Sequence, residues 1–153
     1  MDNLHTFVKC YKHKKMKKLI FKLLVLFILP GFISQKLTAQ HVLTIKITDL
    51  PENKGKVMLE LMDSERNTIE RVVGKIQNQR STIIIDSLAT GTYAFRYFHD
   101  IDGNKDLNTN WVGMPTEPYG FSNNVVGSFG PPAFEKWLFK LQDNRIMICK
   151  PEY

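Results

Sequence analysis

Cysteine is scarce in this sequence, which has two such residues, Cys10 and Cys149, among 153. Small secreted domains usually pair their cysteines or have none. Only Cys149 lies beyond the N-terminal hydrophobic segment, so a disulfide framework is excluded. In "RIMICK" this residue is expected to be a small buried residue of a strand. Histidine is equally scarce after residue 39, where only His41 and His99 occur, so the sequence predicts no zinc site.

Residues 40–153, most of the chain, carry nearly equal numbers of positive and negative side chains. The formal net charge is +6, but residues 1–39 contain eight lysines and one acid, Asp2, which leaves 13 basic and 14 acidic residues in 40–153. The net charge of residues 40–153 is therefore −1. Because the excess lysines lie in one terminal run, the sequence predicts no nucleic-acid partner.

The long hydrophobic run of this sequence lies near the N-terminus. Two lysines precede an apolar stretch from Leu19 to Ile33, and Ala39 comes shortly before the first alternating segment. This layout predicts an N-terminal extension and secretory signal peptide in residues 1–39, cleaved after Ala39. The alternative is an uncleaved anchor, but the run spans about 15 residues where a membrane-crossing helix needs about 20. Residues 40–153 are therefore expected to be secreted or periplasmic, with no stable membrane span after cleavage.

A helical period of useful length is missing between residues 41 and 153, where apolar and polar residues alternate instead. Seven short segments carry this alternation or a β-branched run: HVLTIKIT, KVMLELMD, IERVVGKI, STIIIDSL, GTYAFRYFHD, EKWLFKL and RIMICK. Turn signals at intervals of about 8–12 residues predict an all-β fold, a single antiparallel β-sandwich of about seven strands. Gly74 places its segment at a sheet edge, and "QDN" between the last two segments predicts a hairpin.

One long polar segment, residues 99–132, interrupts this pattern before the last strands. Loops of this length are uncommon in small domains, and the aromatic residues of this one argue for order, so we expect it to pack back on the sandwich. It begins with oxygen-bearing side chains at alternate positions, Asp100, Asp102, Asn104, Asp106 and Asn108. Calcium takes about six to eight oxygen ligands, and Glu117 can add one from a second arm, so these six residues are predicted to bind Ca²⁺ or a similar ion. The open alternative is an Asx-rich turn whose side chains bond their own backbone.

Catalytic motifs are missing from the chain, which contains no G-x-S-x-G, HExxH or phosphate-binding glycine loop. The acidic loop is not an EF-hand either, because Trp111 stands where a bidentate glutamate belongs. His99, Asp100 and Glu117 could form the centre of a metal-dependent hydrolase, but neighbouring strand residues point to opposite faces. We therefore predict a non-enzymatic module with a binding or structural role, and keep the hydrolase as the alternative.

Prolines and glycines stiffen and bend the segment "GMPTEPYGFSNN". Its aromatic residues suit a rigid shelf that binds a carbohydrate, a peptide or an envelope protein. The candidate ligand-binding residues are Trp111, Tyr119, Phe121 and Asn123. The alternative is that these residues only pack the loop onto the domain. A carrier that holds a small ligand inside the sandwich is disfavoured, because the aromatic strand residues are expected to fill the interior.

The central block "GTYAFRYFHDIDGNKDLNTNWVGMPTEPYGFSNN", followed by "GPPAFEKWLFKL", resembles the bacterial family catalogued as domain of unknown function 2141. The positions that carry the resemblance are Gly91, Tyr93, His99, Asp100, Asn104, Asp106, Asn108, Gly113, Pro115, Glu117, Gly120, Phe121, Ser122, Asn123, Pro131, Pro132 and Phe134. Lys105 departs from the pattern, since members often carry a glycine there. The resemblance implies a secreted protein with a transthyretin-like or immunoglobulin-like sandwich and brings no established activity.

Overall fold

Residues 39–128 and 130–153 are the part of the chain that the computed structural model describes. They form nine strands: β1 (Gln40–Ile47), β2 (Lys56–Asp63), β3 (Thr68–Gly74), β4 (Ile76–Gln77), β5 (Arg80–Ala89), β6 (Gly91–Asp100), β7 (Tyr119–Phe121), β8 (Phe139–Leu141) and β9 (Arg145–Cys149). Two short 3-10 helices, Ser122–Asn124 and Phe134–Lys136, follow β7 and precede β8. This part of the chain contains no helix long and apolar enough to cross a membrane. The predicted signal peptide lies outside the described residues except for Ala39, directly before β1.

The strands are arranged in two sheets that share one hydrophobic core. One sheet has the order β4-β5-β1-β9, and the other has the order β3-β2-β6-β7 with β8 also paired to β6. Each of the seven predicted segments contains a strand, and the two additional strands, β4 and β7, are two and three residues long. The all-β sandwich is thus confirmed, with β3 at an edge as expected. One pairing, between β1 and β9, is parallel.

The hairpin predicted across "QDN" is wrong. β8 pairs with β6 in one sheet, and β9 pairs with β1 in the other, so this turn carries the chain between the sheets. Turn residues predict a reversal of direction but not the partner of the strand that follows. Both strands still bury alternate side chains, Phe139 and Leu141 in β8 and Met147 and Cys149 in β9, because each faces the shared core.

Alternation along each strand fills the space between the sheets. The core side chains are contributed by both sheets, and the fully buried ones include Leu43, Ile45, Ile47, Val57, Leu61, Phe95 and Leu141. The Phe95 and Phe139 rings meet edge to face with their centroids 5.8 Å apart. Cys149 is buried as expected, and burial raises the pKa of its thiol to about 12, so this group is not an ionised nucleophile at neutral pH.

A second, smaller hydrophobic cluster covers part of the outer face of the β3-β2-β6-β7 sheet. It is built around Met62, Ala94, Phe121 and Trp137. The rings of Phe121 and Trp137 lie 4.2 Å apart, and the Trp137 indole N–H donates to the Pro132 carbonyl oxygen at 3.1 Å. This cluster fixes β7 and the segment before β8 on the sheet, and so fixes the far end of the long loop.

Candidate functional site

The long loop leaves the sandwich at the end of β6 and returns at the start of β7. Its first turn needs left-handed backbone conformations, with φ of 84° at Gly103 and 70° at Lys105. Glycine adopts this conformation freely, whereas a residue with a Cβ does so at a cost of roughly 1 kcal/mol. The departure of Lys105 from the family pattern therefore falls at a position where the backbone itself favours glycine.

Asp100, the last residue of β6, organises this first turn. Its side chain is buried, with 2 % exposed. Asp100 Oδ1 accepts a hydrogen bond from the Gly103 N–H at 2.8 Å, and Oδ2 accepts one from the Lys105 N–H at 3.2 Å. The carboxylate thus satisfies two backbone donors of the turn, which stabilises the turn at this point.

Glu117 closes the other end of the loop. This side chain is also buried, with 5 % exposed. Its Oε1 accepts from the Ile101 N–H at 2.8 Å and its Oε2 from the Asn108 N–H at 3.0 Å. One carboxylate therefore joins the beginning, the middle and the end of the excursion, and its hydrogen bonds to an ionised acceptor are of the stronger kind.

Asp102, Asn104 and Asn108 form a hydrogen-bonded network next to these two carboxylates, with Asp102 and Asn104 exposed. Asp102 Oδ2 accepts from Nδ2 of Asn108 at 2.9 Å and of Asn104 at 3.2 Å, and Asn104 Nδ2 also donates to Asn108 Oδ1 at 2.7 Å. The pKa of the Asp102 carboxyl is lowered by the hydrogen bonds from the Asn108 side chain and the Asn104 backbone. The predicted Asx-rich turn is therefore present.

The same turn brings three of the six predicted metal ligands together. One carboxylate oxygen each from Asp100, Asp102 and Glu117 lies within 4.8 Å of the other two. The Asn104 and Asn108 side chains bond to Asp102 beside this group, whereas Asp106 is exposed and is not a member. In residues 39–128 and 130–153, no lysine or arginine forms an ion pair with these three carboxylates, since the ion pairs there involve Glu60 and Asp49.

His99 lies apart from the carboxylate group. Its side chain is buried, its Nε2 lies 2.6 Å from the Lys54 carbonyl oxygen, and its Nδ1 has no partner among the described residues. Asp100, the next residue along β6, belongs to the carboxylate group, and His99 does not. The three residues of the alternative hydrolase centre are thus not assembled as one cluster, and the absence of catalytic activity stays a prediction.

The four candidate ligand-binding residues do not form one shelf. Trp111 is 95 % exposed, so the expectation that the whole loop packs back on the sandwich is wrong at its tip. The cause is a tight turn in which Asn110 Oδ1 accepts from the Val112 and Met114 N–H groups and points the tip outward. Asn123 Nδ2 lies within hydrogen-bonding distance of the carbonyl oxygens of residues 136, 137 and 138, to which its two N–H groups donate, which is a structural role.

The remaining two of these residues, Tyr119 and Phe121, lie on the outer face of the sheet, opposite Phe98 and Arg96 of β6. Both side chains line a cleft of about 630 Å³ on that face. Residues of the loop and of the segment before β8 also line the cleft.

A family model described as an uncharacterised protein conserved in bacteria (DUF2141) matches residues 45–148, which is about two thirds of the chain. The chain belongs to the DUF2141 family. No curated protein and no solved structure matches it. The matched range runs from β1 to β9, so it includes the whole loop and the three clustered carboxylates of this DUF2141 protein.

The sequence predictions missed a second polar group of this DUF2141 protein, centred on Glu60 in β2. Glu60 Oε1 accepts from Arg71 Nη2 at 2.8 Å and from the Thr68 hydroxyl at 2.8 Å, and its Oε2 accepts from Arg96 Nε at 2.7 Å. Burial raises the pKa of Glu60, but the hydrogen bonds from Arg71, Thr68 and Arg96 outweigh it and lower the pKa to about 2. The available signal was one charged residue within each of two largely apolar strand segments, Glu60 in VMLELM and Arg96 in YAFRYF.

Proposed function

We propose that this DUF2141 protein is a secreted or periplasmic, non-enzymatic β-sandwich module with a binding or structural role, whose long loop is stabilised by a calcium-type ion. The observation that carries the ion is the convergence of Asp100, Asp102 and Glu117, with one oxygen of each within 4.8 Å of the others. Secretion rests on the hydrophobic run before Ala39 and on the start of β1 at Gln40, the residue that cleavage would expose.

The charge of the three carboxylates favours a bound cation. Three negative groups at this separation repel one another, and two of them are buried without a lysine or arginine partner among the described residues. Buried charges are normally paired or coordinated to a metal. Backbone N–H groups offset part of the cost, but an ion would remove the repulsion itself.

The hydrogen bonds already present leave room for a cation. An ionised carboxylate has about four lone-pair sites. Asp100 and Glu117 each accept two backbone N–H groups, so acceptor capacity remains on both. Calcium takes about six to eight oxygens, which the side-chain oxygen of a neighbouring asparagine, backbone carbonyls and water would complete.

An ion held there would join three points of the loop. Asp100 ends β6, Asp102 lies in the first turn, and Glu117 lies two residues before β7. Binding to the folded state alone stabilises a protein by about 2.7 kcal/mol when the ligand is at about 100 times its Kd. For a domain of this size that corresponds to a rise in Tm of about 10 °C.

The test is the Tm of the purified protein in EDTA and with increasing calcium, followed by circular dichroism. We expect calcium to raise Tm by about 10 °C. Asp102→Asn should reduce this rise sharply, because it removes the negative charge and one of the two carboxylate oxygens at an exposed position. Asp106→Asn and Asp86→Asn are matched controls that remove an exposed carboxylate outside the cluster. Equal Tm in EDTA and calcium, or an undiminished calcium effect in Asp102→Asn, would contradict the ion site.

A further inference from the structure

The cleft on the outer face of the β3-β2-β6-β7 sheet has a floor of two cross-strand rows. The polar row is Arg71, Glu60 and Arg96, which are direct partners across β3, β2 and β6. The apolar row beside it is Val73, Met58, Phe98 and Tyr119, which are direct partners across β3, β2, β6 and β7. All seven side chains line the cleft, whose volume is about 630 Å³.

Glu60 holds the two arginines of the polar row in place but accepts only some of their N–H donors. Glu60 is 11 % exposed at its side chain, whereas Arg71 is 75 % exposed and Arg96 is 59 % exposed. Each guanidinium meets Glu60 through Nε and Nη2, and a guanidinium has further N–H donors beyond these. Glu60 therefore holds both arginines at the lining of the cleft, and their remaining donors are of the kind that binds carboxylate, sulfonate or phosphate groups.

The apolar row is left partly uncovered by the segments around it. Val73 is 51 % exposed, and Met114 on the loop wall is 53 % exposed. Leu107 and Pro115 of the loop and Pro131 of the segment before β8 also line the cleft. Exposed apolar side chains such as Val73 and Met114 beside two arginines can contact the apolar body of a ligand.

We propose that this cleft binds a small organic anion, with its anionic group on Arg71 and Arg96 and its apolar or aromatic body on the row from Val73 to Tyr119. A cleft of this volume matches a single small molecule, and apolar walls with a few convergent polar groups are typical of such sites. The charged residues that line the cleft, Arg71, Arg96, Lys105, Glu60 and Asp106, give a net charge of +1. The inference gives a site and a ligand class to the binding role proposed above and rests on that role, but it does not require the ion.

The probe is 8-anilinonaphthalene-1-sulfonate, and N-phenyl-1-naphthylamine is its neutral analogue without the sulfonate. We expect the sulfonate to bind the full purified protein with one-to-one stoichiometry and more tightly than the neutral analogue. Arg71→Gln is expected to weaken sulfonate binding by about tenfold, the value of a hydrogen bond to a charged group, and to change binding of the analogue little. Arg80→Gln, an exposed arginine of β5 in the other sheet, is the matched control and should change neither.

A second variant keeps the test decisive if Arg71→Gln does not fold. Val73→Glu puts a negative charge in the apolar row at an exposed position of an edge strand. It should therefore weaken binding of the sulfonate more than binding of the neutral analogue. Equal binding of the two probes, equal sulfonate binding in all variants, or no binding would overturn the proposal.

Repeating the titrations in EDTA and in calcium separates the two proposals. Arginine-dependent binding without a calcium effect on Tm would support the cleft proposal and contradict the ion site. A calcium effect on Tm without arginine-dependent binding would support the ion site and contradict the cleft proposal.

Discussion

Glu117 offers the sharpest test of how the long loop is held, because it can be removed without touching either sheet. Its two oxygens accept the Ile101 and Asn108 N–H groups at 2.8 and 3.0 Å, and the side chain is 5 % exposed. Hydrogen bonds to charged groups contribute about 1.5–3 kcal/mol each. Removing a member of a repulsive carboxylate group offsets part of that loss, so Glu117→Ala should lower the free energy of unfolding by about 3 kcal/mol in EDTA.

Glu117→Gln separates the charge from the contact. The amide retains one acceptor oxygen, but its NH₂ group faces a backbone donor in place of the second. We expect Glu117→Gln to lower the free energy of unfolding by about 1.5 kcal/mol. Glu135 is exposed, so Glu135→Ala is the matched control, and it should change the free energy of unfolding by no more than about 0.5 kcal/mol.

The assay is urea unfolding in EDTA followed by tryptophan fluorescence. Trp137 is 3 % exposed and will report unfolding, whereas Trp111 is 95 % exposed and will change little. Hydrogen exchange adds a local measurement, since the Ile101 and Asn108 amides should lose protection in Glu117→Ala. If Glu117→Ala costs less than about 0.5 kcal/mol and both amides stay protected, the network does not hold the loop and the reasoning from its geometry fails.

Two further predictions concern Glu60 and the N-terminus. The pKa of Glu60 is about 2 in the folded protein against a usual value of 4.5. Between these pH values the unfolded chain binds more protons than the folded chain. The stability that the Arg71 and Arg96 contacts contribute is therefore complete above pH 4.5 and lost as the pH falls towards 2. Urea titrations across this pH range should therefore show that acid lowers the free energy of unfolding less in Glu60→Gln than in the wild type. An equal dependence of this free energy on pH in the two proteins would contradict the prediction. N-terminal sequencing of the protein from the periplasm or medium should begin at Gln40, and a chain retained intact in the membrane fraction would contradict the cleaved signal.

Much of the sandwich was predictable from the sequence because alternation is a local signal. Leu43, Ile45 and Ile47 alternate with polar residues in β1, and all three are fully buried. Two other local signals also held: Gly74 predicted β3 at an edge, and the lone Cys149 was expected in the interior. A period of two specifies which face a side chain takes, whatever strand lies beside it.

The acidic loop was predictable in its chemistry and only in part in its geometry. The sequence indicated both a cation site and an Asx-rich turn, and the hydrogen bonds of Asp100 and Asp102 show the turn. The sequence analysis named Glu117 as a partner from a second arm, and the fold places it beside Asp100 and Asp102, 17 residues from Asp100, whereas Asp106 is not a member of the group. Spacing along the chain does not determine which way each side chain of an irregular loop points.

The sequence alone therefore determined the all-β class, the inward face of each main strand and the chemical character of the long loop, since these depend on residues close together in the chain. The tertiary structure alone decided that β9 pairs in parallel with β1, and that Arg71, Glu60 and Arg96 form one row across three strands. Strand pairing joins residues far apart in sequence, and a local hydrophobic pattern is compatible with several partners and registers. The cleft and its arginines arise from that pairing, which is why the pattern of residues did not reveal them.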